Sequence, residues 1–590
     1  MSWVPQVSRI WRPGRNARAT TSQSIKFLRG CPGLSPLETG DRRACAHLTP
    51  SPPRIIVIRR ARASKARHAI KEPTSMRKIL AVLSFAAIAA CVSAQTPVVH
   101  TASGSLAGVK SPQSSVVSFK GIPFAAPPVG DLRWAPPAPA APWTGTRQAD
   151  TFGASCMQHE RDEFLPWTHA YLAHNEVSED CLFLNIWTPR VSPSANLPVV
   201  VYIHGGGFTE GSGGVEIYDG EHLAQTGLVL VTINYRLGIF GFFAHPDLTA
   251  ESAHHTSGNY ALLDQIAALA WVKSNIRAFG GDPTRVTIWG QSAGAFSVND
   301  LLASPLAAGL FQRAMADSGI GLASLPMQTL QAAEQSGTQF AAARHASSLK
   351  DLRAIPAADL LNATGPRFGP IVDGYVLPAS PSDPSAAGND VPVITGYQAN
   401  DGALFGAPPK TVADYQSLVM RQYGDLAPDF EKLYPAATPA QARDMITQSI
   451  RDRDRVSMYL WASRRAASHH QPVFTYFFTR AIPWPQHPEF GAFHSGELPY
   501  FFLNQDHLDR PWQLADGILA KASATYLKNF ATTGNPNGSG VPNWPNVSAS
   551  TPQTMELGEK IAPMPLAEKD RLDFWIKFFN SPAGAHAPPF

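Results

Sequence analysis

The stretch that most restricts this chain is Val286-Thr287-Ile288-Trp289-Gly290-Gln291-Ser292-Ala293-Gly294. Four β-branched or aromatic residues predict a short buried strand, and Ala295-Phe296-Ser297-Val298 suits a helix. Between them a serine stands with a glycine two positions to either side. Strand, sharp turn and helix together form the setting in which G-x-S-x-G lifts a serine hydroxyl above a sheet, over a helix N-terminus. The turn holds the serine in a strained backbone conformation, where side chains at 290 and 294 would clash. Alone the pattern is weak, since a chain with 45 glycines produces it by chance. The strand before it gives it weight.

A second glycine cluster points the same way. Residues 197–203 predict a buried strand, and it runs into His204-Gly205-Gly206-Gly207-Phe208. Glycines after a buried strand leave backbone N–H groups facing a ligand. A phosphate cradle is one use of such a loop, but no Gly-Lys-Ser/Thr follows, which excludes a P-loop. The H-G-G-G pattern is instead half of an oxyanion hole, the set of N–H donors that receives a developing negative charge.

These two segments lie among alternating strands and helices. Residues 104–117 and 119–124 alternate like an opening antiparallel sheet, and 182–187 and 228–234 predict further strands. Residues 259–277 predict a long helix with apolar positions at Leu262, Leu263, Ile266, Leu269 and Val272, stopped by Gly280-Gly281-Asp282-Pro283. Such alternation predicts an α/β fold with a mostly parallel sheet and helices on both faces. No internal repeat or linker divides 95–590, so one domain is expected there, large enough at 44% apolar residues for an ample core.

The net charge of +4 is unevenly distributed. Residues 1–75 hold 15 Lys/Arg against 3 Asp/Glu, whereas the other 515 residues hold 34 against 42. The body is mildly acidic and carries no nucleic-acid signature. Residues 1–75 lack any sustained apolar period, and they are expected to be either an over-extended start or a disordered basic segment. Residues 76–94 make a complete signal peptide: Met76-Arg77-Lys78, an apolar run over 79–92, and the small-residue site Val92-Ser93-Ala94. That run is too short to span a bilayer comfortably. Ile88-Ala89-Ala90-Cys91 resembles a bacterial lipobox and offers Cys91 as an alternative lipid anchor. Past the signal only Cys156 and Cys181 remain, an even pair in a compartment that permits disulfides. Two buried thiols are the alternative, and without histidines nearby the two cysteines make a poor zinc site.

A serine hydroxyl needs an adjacent base, and the base needs an orienting acid. In the order Ser, Asp or Glu, His, the candidates are the acid after strand 393–396, Asp401 in Asn400-Asp401-Gly402, and His494 in Phe493-His494-Ser495-Gly496-Glu497. An acid followed by glycine is commonly only a turn, but its place at the carboxyl end of a strand favours function.

With these residues assembled, the chain resembles the type-B carboxylesterase family of α/β-hydrolases, which includes the cholinesterases. The matching stretches include Phe119-Lys120-Gly121-Ile122-Pro123-Phe124, Ser178-Glu179-Asp180-Cys181-Leu182-Phe183-Leu184-Asn185, Phe279-Gly280-Gly281-Asp282-Pro283 and Phe368-Gly369-Pro370-Ile371-Val372-Asp373-Gly374. The resemblance covers about 97–580 and implies the α/β-hydrolase fold and ester hydrolysis without metal or organic cofactor. It implies Ser292 as nucleophile, His494 as base and Asp401 as acid, with Gly206, Gly207 and Ala293 as oxyanion donors. It also implies a Cys156–Cys181 disulfide and buried support from Glu497, Ser318 and Asp264. Two departures stand out. The cholinesterase elbow has Glu before the serine, and here it is Gln291; the family's triad acid is often Glu, and here it is Asp401. The expected partner is a small, neutral ester. A cholinesterase-like or lipase-like hydrolase is the nearest alternative. A non-catalytic adhesion protein of the same fold is disfavoured, since every triad position is filled. Oligomeric state is not legible.

Overall fold

The computed structural model describes residues 96–584 except 320–321, 323–326, 383–387, 405–407, 549 and 582–583. The expected basic segment, signal peptide and Cys91 lie outside the described residues. The described residues fall in one compact unit.

Its centre is an eleven-stranded sheet. In chain order the strands are β1 (Val109–Lys110), β2 (Val117–Pro123), β3 (Phe183–Thr188), β4 (Leu197–Ile203), β5 (Val229–Ile233), β6 (Gly281–Gln291), β7 (Arg313–Asp317), β8 (Val393–Gln398), β9 (Val473–Phe478), β10 (Gln553–Leu557) and β11 (Ile561–Pro565). In space they run β11-β10-β9-β8-β7-β6-β4-β5-β3-β2-β1. The strands from β5 across to β10 pair in parallel, and antiparallel pairs finish both edges. The expected mostly parallel sheet is therefore present. The opening segment differs from expectation. Val98–Thr101 and Gly104–Ala107 join Thr146–Gln148 in a separate three-stranded sheet, and only β1 and β2 reach the main one.

The central strands read as continuous apolar runs because both of their faces are covered. Alternation along each strand divides the core in two. Val199, Val201, Val286, Ile288 and Ala314 pack on one side with Leu262 and Leu269 of helix α1 (Tyr260–Asn275) and Val298 and Leu301 of α2 (Ala293–Ala303). Val200, Tyr202, Trp289 and Met315 pack in the other cluster with Leu519, Tyr526 and Phe530 of α4 (Leu514–Thr533). Helix α3 (Pro439–Ser468) lies between α2 and α4 in the chain. The long helix expected over 259–277 ends at Asn275 and tightens into a 3₁₀ turn, Ile276–Phe279, before Gly280 at φ 89°. Cys156 and Cys181 are joined by a disulfide, which closes a loop of about 25 residues and contributes about 3 to 4 kcal/mol by loop entropy.

What positions the site is the strand order. From β4 the chain moves to β5 on one side, then returns across β4 to β6 on the other. The carboxyl ends of β4 and β6 thus flank the point where the order reverses, the place where open α/β sheets present a crevice.

Candidate active site

Ser292 sits between β6 and α2 with φ 58° and ψ −124°, a region that a residue with a side chain occupies only under constraint. Two contacts impose it. The Ser292 N–H donates to the Asp317 carbonyl at the end of β7 (2.9 Å), and its own carbonyl accepts from Phe296 N–H (3.0 Å) in the first turn of α2. The tightness of the turn explains the flanking glycines. A Cβ on Gly290 would stand 2.3 Å from the Gly294 carbonyl oxygen, and one on Gly294 would stand 1.9 Å from that of Ile203. Any side chain at either position would force the helix off the sheet.

The contact with Ile203 also brings the glycine loop to the serine, since that loop begins directly after β4. A Cβ on Gly205 would lie 3.0 Å from Ser292 Cβ. Gly206 turns the loop by accepting from the N–H groups of Thr209 (3.0 Å) and Glu210 (3.1 Å), and the Gly207 carbonyl accepts from Arg367 (2.8 Å). Ala293 opens α2, where the first N–H groups have no partner within the helix. Among the described residues no acceptor takes the N–H of Gly206, Gly207 or Ala293. His204, ahead of the loop, stacks on Tyr235 with ring centroids 4.4 Å apart, and burial pushes its pKa down to about 4. It is therefore neutral at pH 7.

Asp401 and His494 lie 93 residues apart and are brought together by a backbone bridge between Asn400 and Phe493. Asn400 N–H donates to the Ala492 carbonyl (2.9 Å), and Ala492 N–H donates to Asn400 Oδ1 (3.2 Å). Gly491 permits this approach, since a Cβ there would stand 2.5 Å from Asn400 Oδ1. His494 Nδ1 then donates to Asp401 Oδ1, both side chains being almost wholly buried. With Nδ1 so engaged, Nε2 is the nitrogen that accepts, and the Gln291 amide donates to it at 3.2 Å. The other oxygen of Asp401 accepts from the Ser318 hydroxyl and from Gln398 N–H (3.1 Å), and Gln398 Oε1 also lies against that hydroxyl. Ser318 itself has φ 58° and Ser495 φ 79°, so backbone strain gathers at this site.

Of the three expected support residues, Ser318 touches the acid directly. Asp264 lies elsewhere: its carboxylate takes both forks of Arg236 at 2.8 Å and Arg236 N–H at 3.1 Å, a buried pair behind β5. Glu497 is fully buried, with the Gln398 side chain and its own backbone N–H beside a carboxyl that makes no well-formed hydrogen bond among the described residues. Burial holds its carboxyl well above the usual carboxylate range, with the Asp317 and Asp401 charges adding to the effect. Asp317, which accepts from the Trp289 indole N–H (2.6 Å), is pushed up to about 7, chiefly by burial.

Two residues at the site carried no clear signal in the sequence. Gln398 closes β8 among apolar neighbours, where nothing marks it. Trp167, in the loop that the disulfide closes, stands edge-on to His494 with ring centroids 6.4 Å apart and its N–H 3.4 Å from Ser495 Oγ.

The sequence profile of the carboxylesterase family matches residues 95–575. The chain belongs to that family. This carboxylesterase is 42% identical to the fumonisin B1 esterase of Sphingopyxis macrogoltabida over 433 residues, covering 70% of this chain and 77% of the relative. It is 37% identical to the para-nitrobenzyl esterase of Bacillus subtilis (strain 168), covering 76% and 92%. It is 31% identical to liver carboxylesterase 1F of Rattus norvegicus, covering 84% and 97%. The carboxylesterase is a carboxylic ester hydrolase, as its relatives are named to be, and its fold is the α/β-hydrolase fold of that family.

The Glu497 carboxyl makes a stability test with a definite sign. Its pKa is raised on folding, so above about pH 4.5 the unfolded chain loses this proton before the folded one. The contribution is full below that pH and is lost as pH rises toward the folded value. Glu497→Gln removes the titration while keeping the shape. Urea midpoints at pH 5 and pH 8 should therefore differ less for the variant than for the unaltered carboxylesterase. Equal differences would mean that Glu497 is ionised in the folded chain.

Proposed function

We propose that the chain is an exported serine carboxylesterase that acts on neutral esters through an acyl-enzyme. The observation that carries this is the convergence of a strained serine, a histidine whose Nδ1 is taken by a buried aspartate, and three backbone N–H groups without acceptors among the described residues. Ser292 Oγ attacks the ester carbonyl and passes its proton to His494 Nε2. The tetrahedral oxyanion meets the N–H groups of Gly206, Gly207 and Ala293, where fixed dipoles stabilise charge without reorganising. Collapse expels the alcohol, which takes the proton from His494. A water activated by the same nitrogen then attacks the acyl-enzyme, and the acid leaves. Asp401 holds the ring in the tautomer that keeps Nε2 basic, and Ser318 and Gln398 hold Asp401.

Preference for neutral esters rests on Gln291. Cholinesterases carry Glu before the nucleophile, and here a neutral amide lies against His494. Choline esters are the second reading, favoured by one observation: the Trp167 ring stands beside His494, where a quaternary ammonium could meet its face. Three positions after Asp401, where the resemblance to cholinesterases would place an aromatic ring, this chain has Leu404, followed by Phe405; the Leu404 side chain and Phe405 lie outside the described residues.

One kinetic panel tests both assignments. Ser292→Ala and His494→Ala should each lower kcat about 10⁶-fold, and Asp401→Asn about 10⁴-fold, with the fold intact by circular dichroism. Near-normal activity in Asp401→Asn would remove the acid from the mechanism. On the unaltered enzyme, kcat/KM for acetylthiocholine should fall below that for an uncharged thioester of equal length. A ratio more than about tenfold in favour of the cation, worth about 1.4 kcal/mol, would overturn the neutral preference.

Export is supported by the Cys156–Cys181 disulfide and by the apolar run that follows Arg77-Lys78. Among the described residues, no helix is long and apolar enough to cross a membrane. Mass spectrometry of protein secreted from its native host should find an N-terminus at Gln95. A lipidated Cys91 would make it an anchored enzyme, and retention of residues 1–75 would contradict export by this signal.

A further inference from the structure

Helix α3 packs directly on the loop that carries Asp401. A Cβ on Gly402, one residue past the acid, would stand 2.7 Å from Ile450 Cγ2. The next residue of the helix, Arg451, reaches the same loop from its other side chain atoms. Its Nε donates to the Ala399 carbonyl at 2.6 Å, and its Nη2 donates to Asn400 Oδ1 at 3.3 Å. Ala399 and Asn400 are the two residues between the end of β8 and Asp401. The Asn400 amide oxygen also accepts from Ala492 N–H at 3.2 Å, and Ala492 stands two residues before His494. One guanidinium thus ends a short chain of bonds that runs from the helix, through Asn400, to the histidine loop.

The arginine is costly where it stands. It is half-buried, and the acid beside it in the chain, Asp452, turns instead to Arg455. Among the described residues the Arg451 guanidinium meets only neutral oxygen acceptors. Burial holds its pKa below the usual arginine range, with the Arg455 charge adding to the effect and Asp452 opposing it. A side chain that merely filled this space would do so at lower cost if it were apolar. The helix in turn holds Arg451 in place. Arg455 Nε donates to the Arg451 carbonyl (3.1 Å), and the Arg455 guanidinium lies over the Phe477 ring of β9, 4.7 Å from its centroid.

We propose that Arg451 is a positioning residue for ester hydrolysis, which fixes the acid loop against the histidine loop so that the Asp401 carboxylate meets His494 Nδ1. It touches neither substrate nor reacting atoms and acts through Ala399 and Asn400. The inference rests on the reading of Asp401 and His494 as acid and base. Without the guanidinium the Asn400 side chain loses its tie to the helix, and the two loops keep only their own bonds to one another. A displacement of about 1 Å in a catalytic group costs on the order of 100-fold in rate. The loss falls on kcat, because His494 serves both the formation and the hydrolysis of the acyl-enzyme.

The test compares Arg451→Ala, Arg451→Lys and His494→Ala in the full mature enzyme, with para-nitrophenyl acetate as substrate and Tm measured alongside. In Arg451→Ala, kcat should fall about 10- to 100-fold while KM stays within about threefold. Arg451→Lys keeps the charge and one donor, so its kcat should lie between the two. Ethylguanidinium, the part of the side chain that the alanine variant lacks, should raise kcat of Arg451→Ala and leave the unaltered enzyme as it was. A general loss of stability would show no such rescue. Should Arg451→Ala fail to fold, Arg451→Lys decides, with a kcat below that of the unaltered enzyme expected at unchanged Tm. Unaltered kcat in the Arg451 variants, with His494→Ala inert, would overturn the proposal and leave the assignment of the base intact. A loss that neither lysine nor ethylguanidinium restores would overturn it too, marking Arg451 as a support of the fold alone. Near-normal activity in His494→Ala would remove the reading on which the proposal stands.

Discussion

The site depends on one backbone contact, the approach of the first turn of α2 to the end of β4. Ile203 O and Gly294 come so close that a Cβ on the glycine would stand 1.9 Å from the oxygen. That approach fixes the height of Ser292 above the sheet and sets its φ positive. It also seats the loop of Gly205, Gly206 and Gly207 against the serine. The topology makes the contact possible, because β4 and β6 are neighbours at the point where the strand order reverses. A helix packed at ordinary distance would separate the serine from the loop that faces it.

From that contact the arrangement extends outward through named bonds. Ser292 is tied by its N–H to Asp317, and the next residue, Ser318, reaches across to Asp401. Asp401 holds His494, and the pairing of Asn400 with Phe493 keeps those two loops in register. Behind them lie the carboxyls of Asp317 and Glu497, both fully buried and both raised, chiefly by desolvation. A charge on either would be costly in an apolar interior, so the low dielectric limits negative charge behind the acid that orients the histidine.

Much of this was legible because the decisive signals are local. The strand, glycine, serine and helix of 286–298 lie within one short window, and so does the strand that runs into the glycine loop. The sheet and its two covers follow from apolar runs and helical spacing at residues such as Leu262 and Leu269. What escaped depends on contacts distant in the chain. Nothing near Asn400 announces that it will pair with Phe493, and Gln398 looks like the last residue of an ordinary strand. Asp264, expected as a buried polar support, is buried, and nothing local announces that its partner is Arg236, which the turn after β5 brings to it. Nothing in the loop around Trp167 places its ring beside His494, because an irregular loop does not fix position by residue count. Helix α3 shows no single apolar stripe because it is buried all round over 452–459, where Asp452, Arg453, Asp454 and Arg455 stand among the apolar residues.

The central claim is that the strained serine of the elbow is the group that becomes acylated. Covalent labelling with a fluorophosphonate, followed by peptide mapping in a mass spectrometer, tests it most directly. The account predicts one adduct per chain, on the hydroxyl of Ser292, and strongly slowed labelling in His494→Ala. An adduct on another residue, or labelling at full rate without His494, would contradict it.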